Sequence, residues 1–405
     1  MRLETGKVTK AERSDNSALF DRDPKFIATD KAAVAAIVQA CVNVELFTIP
    51  LYMVSMYSIQ GVHQVTGSNN MYQGKLWPGM APSFEKNDLG NSPNSVRAFN
   101  TLFSVFIEEM LHLQLAANLA NVIGVKPDFT QLSPEEENYA WNCYGTQDKP
   151  STIIPYILDF KDCKTELPEA NNLLKYSQIK VKLDALTEEQ NELFLAIEEN
   201  DKLAWERIRD DRKDKYRFHT PFKDWTAGDP LPMFGTIGRM YQCLYDYFNI
   251  TYKYPDGTTK TLWEIMYSPG TLQRDIFNAS SKGHPYKEYQ GIETTILGWL
   301  PQRALDEIVL KLISAITDQG EGSSIEKPER PILQAVKPIN QASKAALEAD
   351  YPSYSDSGEP VPSTHAHARS EVGAMDHYER FEAIKEDLKA GRIITWDKWR
   401  KDQKP

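Results

Sequence analysis

Two long apolar stretches limit what this chain can fold into more than any other feature. Residues 30–59, DKAAVAAIVQACVNVELFTIPLYMVSMYSI, place apolar side chains at i, i+3 and i+4 behind a capping residue, Asp30. Residues 95–123 show the same helical period and stop at Gly124, with Pro127 beyond. Pro50 interrupts the first stretch just over one turn after Glu45 and predicts a kink. Both stretches carry charge in apolar surroundings. Glu45 is the only carboxylate between Lys31 and Phe84, and FIEEMLHLQLAANLANVIG, residues 106–124, holds Glu108, Glu109 and His112.

Elsewhere the strongest periodic signals are again helical: about 234–249, about 303–318 and about 371–391. Residues 61–94 are rich in Gly, Asn, Ser and Pro and read as a long loop. Residues 186–216 are highly charged and read as solvated helices. Residues 325–370, rich in Pro, Ser and Ala, read as a long excursion.

Composition narrows the partners. A net charge of −11 counts against nucleic acid and against anionic membrane surfaces. No uninterrupted apolar run approaches the roughly 20 residues that span a bilayer, and the first residues lack the apolar core of a signal peptide. Cys41, Cys143, Cys163 and Cys243 form no CxxC pair, which suits free thiols in the cytosol. There is no GxSxG, P-loop or GxGxxG ahead of a helix. His365 and His367, in THAHA, read as part of a solvated loop, and His63, His219 and His284 as ordinary histidines.

Glu109 and His112 are three apart, share one helix face and can hold one ion together. Four-helix di-iron carboxylate proteins take a Glu from each of two helices and a Glu-x-x-His pair from each of the other two. Taken alone, a Glu-x-x-His is more often a surface pair. Glu45, on a separate apolar helix, shifts the balance, because an unpaired buried charge costs on the order of several kcal/mol and coordination offsets it. Carboxylate oxygens with one or two imidazoles suit iron or manganese.

The stretches VELFTIPLYMVSMYSI (44–59), EEMLHLQLAANLANVIGVKP (108–127), GTIGRMY (235–241), DQGEGS (318–323) and DHYERF (376–381) occur in that order. Together they resemble the ferritin-like domain family associated with iminophenyl-pyruvate dimer synthases, which includes domains of violacein and rebeccamycin pathway enzymes. The resemblance covers about 30–130 and 230–385. It implies a mainly α fold, a ferritin-like four-helix bundle with long loop and helical insertions. Residues 1–130 would hold the first helical pair and 131–230 a mixed and charged helical insertion. The second pair would occupy 231–390, with the excursion at 325–370, and 391–405 would form a tail. It implies metal ligands at Glu45, Glu109, His112, Glu321 in the QGEG turn, and His377 in DHYERF. Glu321 and His377 would replace a Glu-x-x-His on one helix.

One position departs from the family pattern. Where the family's third helix reads TIG and then a glutamate, this chain has Arg239, a permanent cation. Three arrangements stay open, in this order: one metal, with Arg239 neutralising the place of a second; no metal, with Arg239 paired to Glu45 or Glu109; or a di-metal site completed by Asp246. We expect one iron or manganese per chain, with Arg239 and Tyr241 on the substrate side. The partner is a small molecule, with no nucleic acid or membrane, and an oligomer stays open. The resemblance implies a non-haem oxidative enzyme acting on a small organic substrate, such as an amino-acid-derived imine. The contrasting reading is a non-catalytic ferritin-like protein with a degenerate metal site.

Overall fold

In the computed structural model, the described residues are 21–64, 76–80, 93–130, 144, 149–165, 179–268, 276, 305, 309–320 and 375–395. The first apolar stretch forms one helix, α1 (Ile27–Ser58), assigned without a break through Pro50. It starts earlier than the sequence predicts, after a 3-10 turn capped by Asp23. Asp30 is therefore not a cap. It is buried in the first turn, where Tyr252 Oη donates to it at 2.7 Å and Arg22 lies 3.2 Å away.

The second stretch forms α2 (Pro93–Val122). Its end is closed by the expected glycine: Gly124 has φ +78°, its N–H donates to the Asn121 carbonyl, and the Val125 N–H donates to the Ala120 carbonyl. That double bond satisfies carbonyls the helix leaves open. The remaining α-helices among the described residues are α3 (Glu188–Ile197), α4 (Asp201–Arg207), α5 (Ile237–Phe248), α6 (Leu262–Met266), α7 (Leu310–Gly320) and α8 (His377–Lys389).

Helices α1 and α2 pack most extensively; α5 lies on α1, and α7 closes the ring against α5 and α2. Helices α8 and α3 pack on each other, and α8 also rests on α2 and α7. The chain thus has the ferritin-like arrangement, with α3 and α8 against one side of it. Helix α1 is long and apolar enough to cross a membrane by length and composition alone, but it is a core helix here: Val34, Ile37, Cys41, Phe47 and Leu51 are buried in the main apolar cluster. The described cysteines, Cys41, Cys163 and Cys243, are buried free thiols.

Two expectations need correcting. The span 61–94 is not all loop, because Gln60–Gln64 pairs antiparallel with Leu76–Met80. Strands of five residues amid Gly and Asn are too short for an alternating pattern to stand out. The first part of the charged stretch 186–216 is not a solvated face either, whereas Asp210, Asp211, Arg212, Asp214 and Lys215 are exposed as expected. In α3, residues Gln190–Ile197 are all buried. Two acids of the stretch are paired: Lys385, far along the chain, stands 3.0 Å from Glu192, and Arg207, from the same stretch, stands 2.8 Å from Glu199.

Candidate metal centre

Helices α1 and α2 build the first half of the site. Glu45, mid-helix on α1, is 1% exposed. Glu109 and His112 lie one turn apart on α2 and face it. His112 Nδ1 stands 3.7 Å from Glu45 Oε2 and 3.7 Å from Glu109 Oε1. Each carboxylate has one oxygen engaged behind it: Tyr241 Oη, on α5, donates to Glu45 Oε1 at 2.7 Å, and Thr48 Oγ1 donates to Glu109 Oε2 at 2.5 Å. The outer nitrogen of His112, Nε2, meets Gln319 Oε1 of α7 at 2.9 Å.

The second half repeats this plan with residues brought from far apart. His377 is the first residue of α8, held there by a capping box in which the Asp376 side chain accepts the Glu379 N–H and Glu379 accepts the Asp376 N–H. Its Nδ1 lies 3.0 Å from Glu109 Oε1 and 3.4 Å from Glu198 Oε2. Glu198 closes the end of α3, is 2% exposed, and accepts a hydrogen bond from Tyr52 Oη at its other oxygen. The outer nitrogen of His377, Nε2, meets Glu108 Oε2 at 2.8 Å. Arg380, three residues on and so on the same helix face, donates to both Glu108 oxygens and to Ser104 Oγ.

Glu108 and Glu109 therefore serve different purposes. Glu109 points into the site and is shared by both halves. Glu108 points behind His377. The two triads, Glu45–Glu109–His112 and Glu109–Glu198–His377, each bring three ligand atoms within 4.8 Å of one another. Two donors each about 2.1 Å from one ion stand roughly 3 to 4.2 Å apart, which is the spacing found. His377 Nδ1 is buried 3.0 Å from Glu109 Oε1 and 3.4 Å from Glu198 Oε2, close enough for one cation to be shared among the three. The residues present thus fit a metal.

Without a cation the cluster holds protons instead. Burial, and then the charge of Glu109, pushes Glu45 up to about 8. Burial also works to raise Glu109, but the His112 and His377 imidazoles overcome it and hold Glu109 down to about 2. Burial pulls both imidazoles down, and the carboxylates around them more than reverse this, leaving His112 raised and His377 raised well above the usual range. Tyr52 and Tyr241 are raised well above the phenol range, by burial and then by Glu198 and Glu45 respectively, so they stay donors.

Of the residues singled out in the sequence, Glu45, Glu109, His112 and His377 come together, with Tyr241 behind Glu45. Glu321 lies outside the described residues; the chain reaches the site just before it, since a Cβ at Gly320 would stand 3.1 Å from Glu198 Oε2. Residues 325–370, with His365 and His367, also lie outside the described residues. The expected pairing of Arg239 with Glu45 or Glu109 is not found. Arg239 is half-buried, stacks over Phe218 at 5.0 Å and Trp205 at 5.8 Å, and its Nη1 donates to the Tyr216 carbonyl at 3.4 Å. Thr236 caps α5 by accepting the Arg239 N–H, and that start of the helix turns Tyr241, not residue 239, to Glu45. Asp246 accepts from Gln242 Nε2 at 2.7 Å, a partner on its own helix.

Glu198 and Arg380 escaped the sequence reading, as did the supporting Thr48, Tyr52 and Gln319. Glu198 lies in a charged stretch dismissed as solvated, although the apolar run LFLAI directly before it signals a buried helix. Arg380 carries no signal beyond its i+3 spacing from His377.

The Ferritin-like family model matches residues 38–335, which include Glu45, Glu109, His112 and Glu198 but stop short of His377. A crystal structure of a ferritin-like protein from Caulobacter vibrioides at 1.95 Å resolution aligns at 17% identity and a TM-score of 0.39, covering 86% of this chain and 94% of that one. No curated protein matches the sequence. Since the match to the family model spans well over half of its length, this chain belongs to the ferritin-like family.

Proposed function

We propose that the chain is a non-haem metal enzyme whose centre holds two ions, iron or manganese, and acts oxidatively on a small organic substrate. The observation that carries this is the pair of buried triads joined by Glu109. It replaces the expectation of one ion, because Glu198 supplies a carboxylate from a place the motifs did not indicate. Glu45 and His112 would hold one ion, Glu198 and His377 the other, and Glu109 would bridge them. Glu321 remains a proposed further ligand on the strength of the QGEG resemblance. The imine-type substrate rests on that resemblance as well.

When bound, such a pair of ions supplies redox equivalents and Lewis acidity for oxygen chemistry. The chain's own contribution follows from its residues. Tyr52 and Tyr241 hold the outer oxygens of Glu198 and Glu45, leaving the inner oxygen of each free to coordinate. Gln319 and Glu108 fix the rings of His112 and His377 with Nδ1 facing inward. Ligands exposed by 2% or less keep bulk water from the centre. In the contrasting reading of a degenerate site, Arg239 cancels the ligands, but it stacks on Trp205 and Phe218 instead.

The test is to strip the protein of metal, reload it anaerobically with Fe(II), count the ions bound and follow oxygen uptake. Two ions per chain and oxygen consumption that disappears in Glu109→Gln support the proposal. No retained metal, or retained metal with no reaction with oxygen, overturns it in favour of a non-catalytic protein.

A further inference from the structure

The two halves of the centre match in their inner residues and differ behind the histidines. His377 Nε2 faces a carboxylate, Glu108 Oε2, at 2.8 Å. His112 Nε2 faces a neutral amide, Gln319 Oε1, at 2.9 Å. All four side chains are essentially inaccessible to solvent.

We propose that Glu108, clamped by Arg380, makes the two metal positions unequal, so that the ion on His377 binds first and more tightly than the ion on His112. This deepens the two-ion reading above and rests on it.

Two physical differences carry the inference. The first is electronic. An imidazole that donates its outer N–H to a carboxylate becomes a better donor at its inner nitrogen than one that donates to an amide. Loss of such an outer partner typically costs 10- to 100-fold in metal affinity.

The second is the certainty of the tautomer. Both Glu108 oxygens accept from Arg380, and a carboxylate so held does not donate to His377, so once an ion takes the place of the inner proton the ring keeps its hydrogen on Nε2 and its Nδ1 lone pair on the ion. Gln319 imposes no such choice. Its amide can present either an acceptor or a donor to His112. Among the described residues its own Nε2 has no hydrogen-bond partner, so turning the amide over breaks no bond there. In the turned state His112 carries its hydrogen on Nδ1, facing the metal position, and binds no ion there. The His112 position is competent for only part of the time, and its apparent affinity falls by that fraction.

Arg380 explains why the carboxylate can sit there at all. A buried anion without a partner is costly, and Glu108 is fully buried. Helix α8 supplies both the ring and the counter-charge three residues apart, so the seating of one helix end places the imidazole and neutralises the group behind it.

The experiment is equilibrium dialysis of the metal-free full chain against Mn(II), with bound ions counted across the titration. Two classes of site differing by about 10- to 100-fold are expected. Glu108→Gln should weaken only the tighter class and bring the two together. Gln319→Leu should weaken only the looser class and widen the gap. Should Glu108→Gln not fold, Gln319→Leu decides alone, since among the described residues its hydrogen bond to the centre is to His112. Two ions of equal affinity overturn the proposal while leaving the two-ion reading intact, as does either variant acting on the wrong class or on both equally. A single ion at saturation overturns the two-ion reading itself.

Discussion

The two halves of the centre use nearly the same residues but are assembled in different ways. The half made by Glu45, Glu109 and His112 comes from two long, adjacent helices, with its Glu-x-x-His on one face of α2. The half made by Glu198 and His377 comes from the end of one short helix and the start of another. Tyr52, from α1, and Glu109, from α2, tie this second half to the first. The difference teaches that the site needs the geometry of the Glu-x-x-His pair but not its sequence. Its second histidine is delivered by the first residue of a helix, and its third carboxylate by the residue that caps the end of α3.

The largest effect should come from the residue both halves share. Glu109→Gln removes a ligand from each triad, and metal analysis of the purified variant should find no tightly bound ion. A full complement in that variant would show that the halves are not joined through Glu109.

Next comes the support of the second half. Arg380→Ala leaves Glu108 buried without its counter-charge, and breaking a buried pair costs about 3 to 5 kcal/mol. Urea unfolding should show a loss of that size. A loss under about 1 kcal/mol would mean that the pair does not anchor α8.

Single-half variants sharpen the comparison. Glu45→Gln and Glu198→Gln should each lower the bound metal from two ions to one. Were Glu198→Gln to leave both ions in place, the non-local half would not be a metal position.

The pH dependence of the metal-free chain follows from the protons that occupy the centre. Burial, with Glu109, raises Glu45 to about 8, and His112 is raised because Glu109 and Glu45 outweigh its burial. A group that binds protons more tightly when folded contributes most at low pH, and that contribution is lost as pH rises through its folded value. For Glu45 the window runs from the ordinary 4.5 up to about 8, and for His112 it begins at 6.5 and extends upward. Denaturant midpoints of metal-free protein should therefore fall between about pH 5 and pH 8. Apparent metal affinity should rise over the same interval, because the ions displace these protons. A flat profile would mean that the cluster is not protonated in the absence of metal.

The smallest effect is assigned to Arg239. Its ring contacts amount to about 0.5 to 2 kcal/mol, so Arg239→Ala should lower stability by about that much and leave the metal content unchanged. A drop in bound metal would return Arg239 to the site.

The sequence by itself determined what depends on neighbours along the chain. The apolar period defines α1 and α2, Gly124 ends α2, and the i+3 spacing places Glu109 and His112 on one face. The Asp376 cap starts the helix that carries His377. These are local consequences of helix geometry, in which residues three or four apart meet and the end groups need capping. The order of the motifs added the ferritin-like family. Only the tertiary structure decided which of the adjacent acids Glu108 and Glu109 turns toward the cluster, that Glu198 joins it from the end of α3, and that Tyr241 rather than Arg239 turns toward Glu45. Those outcomes depend on how short elements far apart in sequence dock, and a side chain at a helix end leaves no periodic trace. Glu45 is recognisable from its apolar surroundings, but the burial of other carboxylates makes sense only once the partner is in view: Glu108 with Arg380, Glu192 with Lys385, and Glu198 with Tyr52 and His377. Buried charge is tolerated only where a counter-charge, hydrogen bond or metal meets it, and for these residues it is the fold that brings such partners together.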